Sequence, residues 1–263
     1  MDRQTDSRLD SVSERVNFKY LLISCVLFLG FGILKLGEEW SIVDSADSMI
    51  WVEIDRFGTV GLLFYTVIFS GLECIGSAPL LMAAASLMYR ALNGIGAGRL
   101  GGFLRAEVWL RSMAVLLPFM VAMNLYNTLF WNIFSVDVDR VGTLLLLTLL
   151  QSLVGCVYYG FAACDPMKNI KLGKIYKAGL KRAVRRPGRL IMTAVLCAAA
   201  YYLLFTLPFK ALNETVLDYR ICIAILVILD SLALFAQSLI FYIVMLQKKK
   251  AVKVILDEKD RVV

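Results

Sequence analysis

Apolar positions in this chain come in long uninterrupted blocks separated by short polar connectors. The blocks at 18–36, 108–131, 141–163, 190–207 and 221–246 each approach or exceed the length of about 20 apolar residues that a helix needs to cross a lipid core. A sixth block, 58–90, is longer than one crossing requires, since each helical residue rises about 1.5 Å. Gly71, Glu73, Gly76 and Pro79 sit in its middle, and Pro79 removes one helical hydrogen bond. The pattern therefore predicts a kink or unwound turn near Glu73, with Gly76 and Pro79 as the break. Pro118 lies inside the block 108–131, and Pro208 is expected to end the block 190–207.

Two connectors have a helical pattern of their own. From Trp40 to Phe57, apolar Val43, Ala46, Ile50, Ile54 and Phe57 recur at helical intervals among Asp44, Asp47, Glu53 and Asp55. This predicts an acidic interfacial helix on the outer surface, a connector that seals the bundle. From Asp165 to Arg189 the chain is basic, and Asp165 followed by Pro166 reads as a helix start. Leu172, Ile175, Gly179 and Ala183, with Tyr176, Leu180 and Val184 beside them, form an apolar stripe. Lys171, Lys174, Lys177, Lys181, Arg182, Arg185 and Arg186 occupy most of the remaining surface, so this is a basic amphipathic helix.

The connectors also sort by charge. Arg90 to Arg111, Lys168 to Arg189 and the tail containing Lys248, Lys249 and Lys250 are basic, whereas Asp44 to Asp55, Asp137 to Arg140 and Lys210 to Arg220 are acidic or mixed. Connectors rich in Lys and Arg remain cytoplasmic, and six crossings put all of them on that side together with both termini. The reading is thus an all-α polytopic membrane bundle in the cell membrane. A cytosolic segment covers 1–17, the six-helix domain 18–246 and a cytosolic tail 247–263.

Composition agrees, with 59% hydrophobic residues and a positive mean hydropathy. The net charge of +7 does not point to nucleic acid, because its basic residues flank apolar spans as they do beside anionic lipid headgroups. There is no histidine, which removes imidazole metal sites and histidine-based triads, and no metal or cofactor is expected. The six cysteines lie in or beside apolar runs and read as small buried hydrophobes. Residues 1–19 are followed by an apolar run without a small-residue cleavage site, so no signal peptide is expected. The glycines between Gly94 and Gly102 follow no strand and read as a turn between helices, not as a dinucleotide loop.

Glu73 and Asp230 are the carboxylates deep inside apolar runs, in two spans that cross in the same direction at similar depth. Intramembrane acids are costly and mark candidate functional sites, so the two would share a proton, an ion or a cationic substrate. The plainer alternative is that each hydrogen-bonds a neighbouring helix, with Asn124, Gln151 or Gln237 as partner. For the basic helix the plainer role is contact with anionic headgroups, and the sharper one is docking to a transporter subunit.

The run from Ala78-Pro79 through Ala85 to Tyr89, then Gly102 to Arg105, Tyr159-Gly160-Phe161, Lys177 to Leu180, and Arg186 to Leu190 resembles the YesL-like bacterial membrane proteins in order and spacing. That resemblance covers about the middle half of the chain and implies an association with carbohydrate uptake, without assigning catalytic residues. The function expected is a non-enzymatic accessory or subunit of a small-solute transport system. The alternatives are a self-sufficient carrier or channel using Glu73 and Asp230, and, as the weakest reading, an intramembrane enzyme.

Overall fold

A computed structural model describes residues 17–44, 50–95, 100–132, 138–164, 170–213 and 219–246. All regular structure among them is helical: α1 (Phe18–Asp44), α2 (Ile50–Leu92), α3 (Ala106–Asn132), α4 (Val138–Ala162), α5 (Leu172–Arg185), α6 (Pro187–Tyr201), α7 (Leu207–Asn213) and α8 (Tyr219–Phe241). A short 3-10 segment, Leu100–Leu104, precedes α3, and single π turns at Tyr202–Thr206 and Tyr242–Leu246 follow α6 and α8. Six helices are long and apolar enough to cross a membrane. The architecture is that of a multi-pass membrane protein.

The spanning helices form a closed ring in which α1 packs on α2, α2 on α3, α3 on α4, α4 on α6, α6 on α8, and α8 back on α1. Contacts of α4 with α2 and α8 cross the middle. Lipid tails are as apolar as leucine, so close packing and interhelical hydrogen bonds, rather than burial alone, hold such a ring together. The outward surface carries exposed Phe64, Leu110, Leu146 and Leu203, while the interior holds Ala84, Ala85, Phe119, Tyr158, Tyr159 and Phe241. The end bearing Arg90, Arg105, Arg111 and α5 is here termed the basic end. There the backbone N–H of Asn17 donates to the carbonyl of Ala91 at 2.9 Å, tying the start of α1 to the end of α2.

No unwound turn interrupts α2, and the helix runs continuously over 43 residues through Gly76 and Pro79. Pro79 cannot donate to the carbonyl of Ile75 four residues earlier. The indole Nε1 of Trp109 in α3 donates to that carbonyl instead, at 3.1 Å. Pro118 repeats the arrangement inside α3. It frees the carbonyl of Ala114, to which the hydroxyl of Tyr176 in α5 donates at 2.6 Å. In each case a donor from another helix satisfies the backbone group that proline released, as lipid requires.

Pro208 does not end the fifth span either. The π turn just before it redirects the ladder, with the N–H of Leu207 donating to the carbonyl of Tyr202, and helix continues as α7 to Asn213. The acidic interfacial helix expected over Trp40–Phe57 is not a separate element. Its two ends belong to α1 and α2, and residues 45–49 lie outside those described.

The basic helix begins at Leu172, with Lys171 extended before it, and so later than the Asp165–Pro166 start expected for it. Residues 165–169, the segment 1–16 and the tail 247–263 also lie outside the described residues. The helix stops at Arg185 because Arg186, preceding Pro187, is pushed out of helical geometry to φ −139° and ψ 59°. Pro187 then opens α6 from its first turn. Only part of the predicted apolar stripe is buried: Ile175, Gly179 and Ala183 pack on the bundle, while Leu172, Leu180 and Val184 face outward. Gly179 permits this packing, since a Cβ there would lie 2.7 Å from the Cα of Val157 in α4.

Candidate functional site

The intramembrane site is built where α1 meets α8. Gly32 allows the two helices to touch, because a Cβ at that position would overlap Ser231 Oγ and come within 3.3 Å of the Val227 carbonyl oxygen. One turn further along the same face of α1 stands Lys35, level with Asp230 beside Ser231. Lys35 Nζ donates to Asp230 Oδ2 at 3.2 Å and lies 3.8 Å from Glu73 Oε1 of α2. Glu73 is only 1% exposed at its side chain, and Lys35 12%, so the group is withdrawn from solvent as well as from lipid.

Asn124 of α3 completes the surroundings of Glu73. Its Nδ2 donates to Glu73 Oε2 at 2.7 Å and to Ser70 Oγ at 2.9 Å. Ser70 in turn donates to the carbonyl of Thr66 at 2.6 Å. Thr66, Ser70, Glu73 and Ser77 follow one another at helical spacing, so one face of α2 is polar in the membrane interior. Four spanning helices thus contribute to one hydrogen-bonded ionic cluster. It lies about 10 Å from the start of the span Thr66–Leu92 in α2 and about 15 Å from the start of the span Arg220–Met245 in and after α8, in the half of these spans away from the basic end.

The sequence pointed to Glu73, Asp230 and Asn124, and the structure brings all three together. It did not point to Lys35. This lysine ends the first apolar run, where it reads as the edge of a span. The available signal was Gly32 three residues earlier, a small residue marking a close helix contact on the face that Lys35 shares. At an effective dielectric of about 20, unit charges 4 Å apart attract by about 4 kcal/mol, which is offset by a desolvation cost of several kcal/mol per ion. The cluster therefore need not add net stability. What it does chemically is hold an ammonium between two carboxylates.

Gln151 and Gln237 form a separate pair nearer the basic end. Gln151 Nε2 donates to Gln237 Oε1 at 3.2 Å, between α4 and α8. Cys197 of α6 approaches the Gln237 carbonyl at 3.8 Å, and Tyr159 Oη shares a hydrogen bond of 2.9 Å with Ser238 Oγ. Phe119 and Phe241 close the sides of a small cavity at this level.

Of the expected docking face, Lys171, Lys174, Lys177, Lys181 and Arg185 are exposed, whereas Arg182 and Arg186 are half-buried. Arg186 Nη1 reaches the Met245 carbonyl at 3.5 Å. An Nη1 of Arg182 passes over Gly160, where a Cβ would lie 2.9 Å from it. Tyr176, on the bundle side of the helix, has its phenol raised above its usual range by burial, so it remains a donor to Ala114 at neutral pH. Among the described residues no three side chains of the His, Cys, Asp and Glu set converge to hold a metal. The sequence matches no protein-family model, no curated protein and no solved structure.

Proposed function

We propose that this protein is a non-enzymatic carrier of small solutes in the bacterial plasma membrane, with the basic end and both termini in the cytosol. The cluster of Lys35, Glu73 and Asp230 is the site at which it couples transport to a proton or a bound cationic group. The observation that carries the reading is Lys35, which stands between carboxylates from two other spans. Ionisable groups are expensive inside a membrane and are kept chiefly where protons, ions or charged substrates are handled.

The geometry suggests how the coupling works. A proton on Asp230, or a cationic group bound there, competes with Lys35 for the same oxygen. Losing that contact loosens α1 from α8, while the approach to Glu73 keeps α1 beside α2. Asn124 orients Glu73, and on this reading Asp230, bonded to Lys35 at 3.2 Å, exchanges partners. Opening the ring at one seam while another holds is what alternate exposure of a midmembrane site requires.

The test is flux in reconstituted vesicles, with an internal pH dye and a panel of monosaccharides, disaccharides and organic cations. Glu73→Gln combined with Asp230→Asn abolishes solute-coupled or proton-coupled flux on this reading. Flux equal to that of the unaltered protein removes it.

A second reading, an accessory subunit of a transport system for small solutes including carbohydrates, is favoured by one observation. Leu180 and Val184 face outward on α5 next to Lys177, Lys181 and Arg185 and are not used by the bundle. The resemblance to YesL-like proteins leads in the same direction. Charge reversal at Lys177, Lys181 and Arg185 then releases a cosedimenting partner, and retention of that partner counts against the reading.

A further inference from the structure

Between the ionic cluster and the basic end, α8 presents Asp230, Gln237 and Ser238, and the π turn after it Tyr242, at helical spacing toward the ring interior, a rise of about 18 Å from first to last. Polar side chains on neighbouring helices line the same route. Tyr201 of α6 lies within electrostatic reach of Asp230, and Cys197, one turn along, touches Gln237. Gln151 pairs with Gln237, and Tyr159 with Ser238. The ring of Tyr242 then stands 5.2 Å from that of Tyr159 and 5.6 Å from that of Tyr89, near the end of α2.

Several polar atoms along this route are buried with hydrogen-bonding capacity that the described protein atoms leave unmet. Gln151 Oε1, Gln237 Nε2, Tyr242 Oη and an Nη1 of Arg182 are of this kind. A buried polar group without a partner costs about 1–3 kcal/mol, and four along one path need a common explanation. Two of them, an acceptor on Gln151 and a donor on Gln237, border a cavity of about 10 Å³, close to the space that one water needs. Its aromatic walls and small size exclude a hydrated metal ion or a sugar. They suit a molecule that donates to one amide and accepts from the other.

We infer that water seated between Gln151 and Gln237, continued past Tyr159 and Ser238 to Tyr242, forms a proton route from the basic end to Asp230. The inference rests on the carrier reading and specifies its coupling ion as the proton. The transfer is balanced at every step: an O–H bond to one oxygen breaks as an O–H bond to the next forms, and no group is oxidised or reduced. The π turn Tyr242–Leu246 and half-buried Arg182, whose Nη1 lies against Gly160, stand at the basic end of the route.

Synchrotron hydroxyl-radical footprinting of the full chain in nanodiscs tests this directly, because radicals formed on buried water label the side chains next to it. Tyr159 and Tyr242 should be labelled at least 10-fold faster than Tyr158, equally buried but with its hydroxyl donated to the Leu81 carbonyl at 3.0 Å. Gln151→Leu with Gln237→Leu should remove that excess. Equal, slow labelling of all three tyrosines in the unaltered protein overturns the inference, as does labelling that survives the double replacement in folded protein. The outcome is separable from the carrier reading. Labelled tyrosines with flux indifferent to Glu73 and Asp230 leave the water route and remove the carrier, and cluster-dependent flux with unlabelled tyrosines does the reverse.

Discussion

Replacing Tyr176 by Phe deletes one hydroxyl and leaves the carbonyl of Ala114, already released by Pro118, without its donor from α5. A buried acceptor stripped of its partner costs about 1–3 kcal/mol, while measured hydrogen bonds between membrane helices average about 0.6 and reach about 1.7 kcal/mol. We expect a loss of about 1–2 kcal/mol for Tyr176→Phe. The decisive comparison is the same replacement made in Pro118→Ala, where residue 118 regains an N–H that reaches Ala114 within α3. There the cost should fall to about 0.5 kcal/mol or less, giving a coupling energy of about 1 kcal/mol.

Equilibrium unfolding in mixed micelles at increasing SDS fraction, followed by circular dichroism, measures each corner of this cycle. Equal costs in both backgrounds would show that proline-released carbonyls are not what the aromatic donors hold. The sign of the pH dependence follows from the same contact. Burial raises the folded phenol of Tyr176 above its ordinary value of 10.0, so the contribution is complete below that value and is lost only as pH rises through the folded one. Stability between pH 6 and about 9 should therefore not register this residue.

Three further outcomes follow. Gly32→Ala should separate α1 from α8 and weaken the reach of Lys35 to Asp230 without altering any charge, lowering flux toward that of Asp230→Asn; unchanged flux in folded protein would detach the helix contact from the site. Lys35→Met leaves two carboxylates facing each other and should cost about 3–5 kcal/mol, whereas Lys35→Met with Asp230→Leu should cost less than the single change, since both members of the pair go together; a costlier double variant in the same micelle assay would contradict this. Gly179→Leu should free α5 from α4 and expose the Lys177 and Lys181 peptide bonds to trypsin several-fold faster, and unaltered cleavage would show that the contact with Val157 does not fix the helix.

The membrane architecture was legible because the length of an apolar run is a physical requirement of crossing lipid, and all six predicted runs lie in spanning helices. Breaks were not legible in the same way. Pro79, Pro118 and Pro208 look alike in sequence, yet two lie in continuous helix rescued by Trp109 and Tyr176, and the third follows a π turn. Rescue depends on a donor far away in the chain, which periodicity cannot show. Glu73 and Asp230 stood out because acids are scarce in apolar runs. Their meeting depends on the ring order, which places α1 between α2 and α8 and is set by close contacts such as Gly32 against Ser231. Lys35 was hidden for the same reason: a lysine at the edge of a span is ordinarily a snorkelling side chain, and only the partner helices turn it inward.

A lipid-soluble carbodiimide offers the most direct measurement of the central claim, because it activates carboxylates inside the membrane and joins them to an amine at contact distance without a spacer. In the unaltered protein, mass spectrometry should find Lys35 amide-linked to Asp230 or Glu73, with flux falling in step with the linkage. Carboxylates that stay unmodified, adducts that leave Lys35 unlinked, or full flux in the linked protein would contradict it.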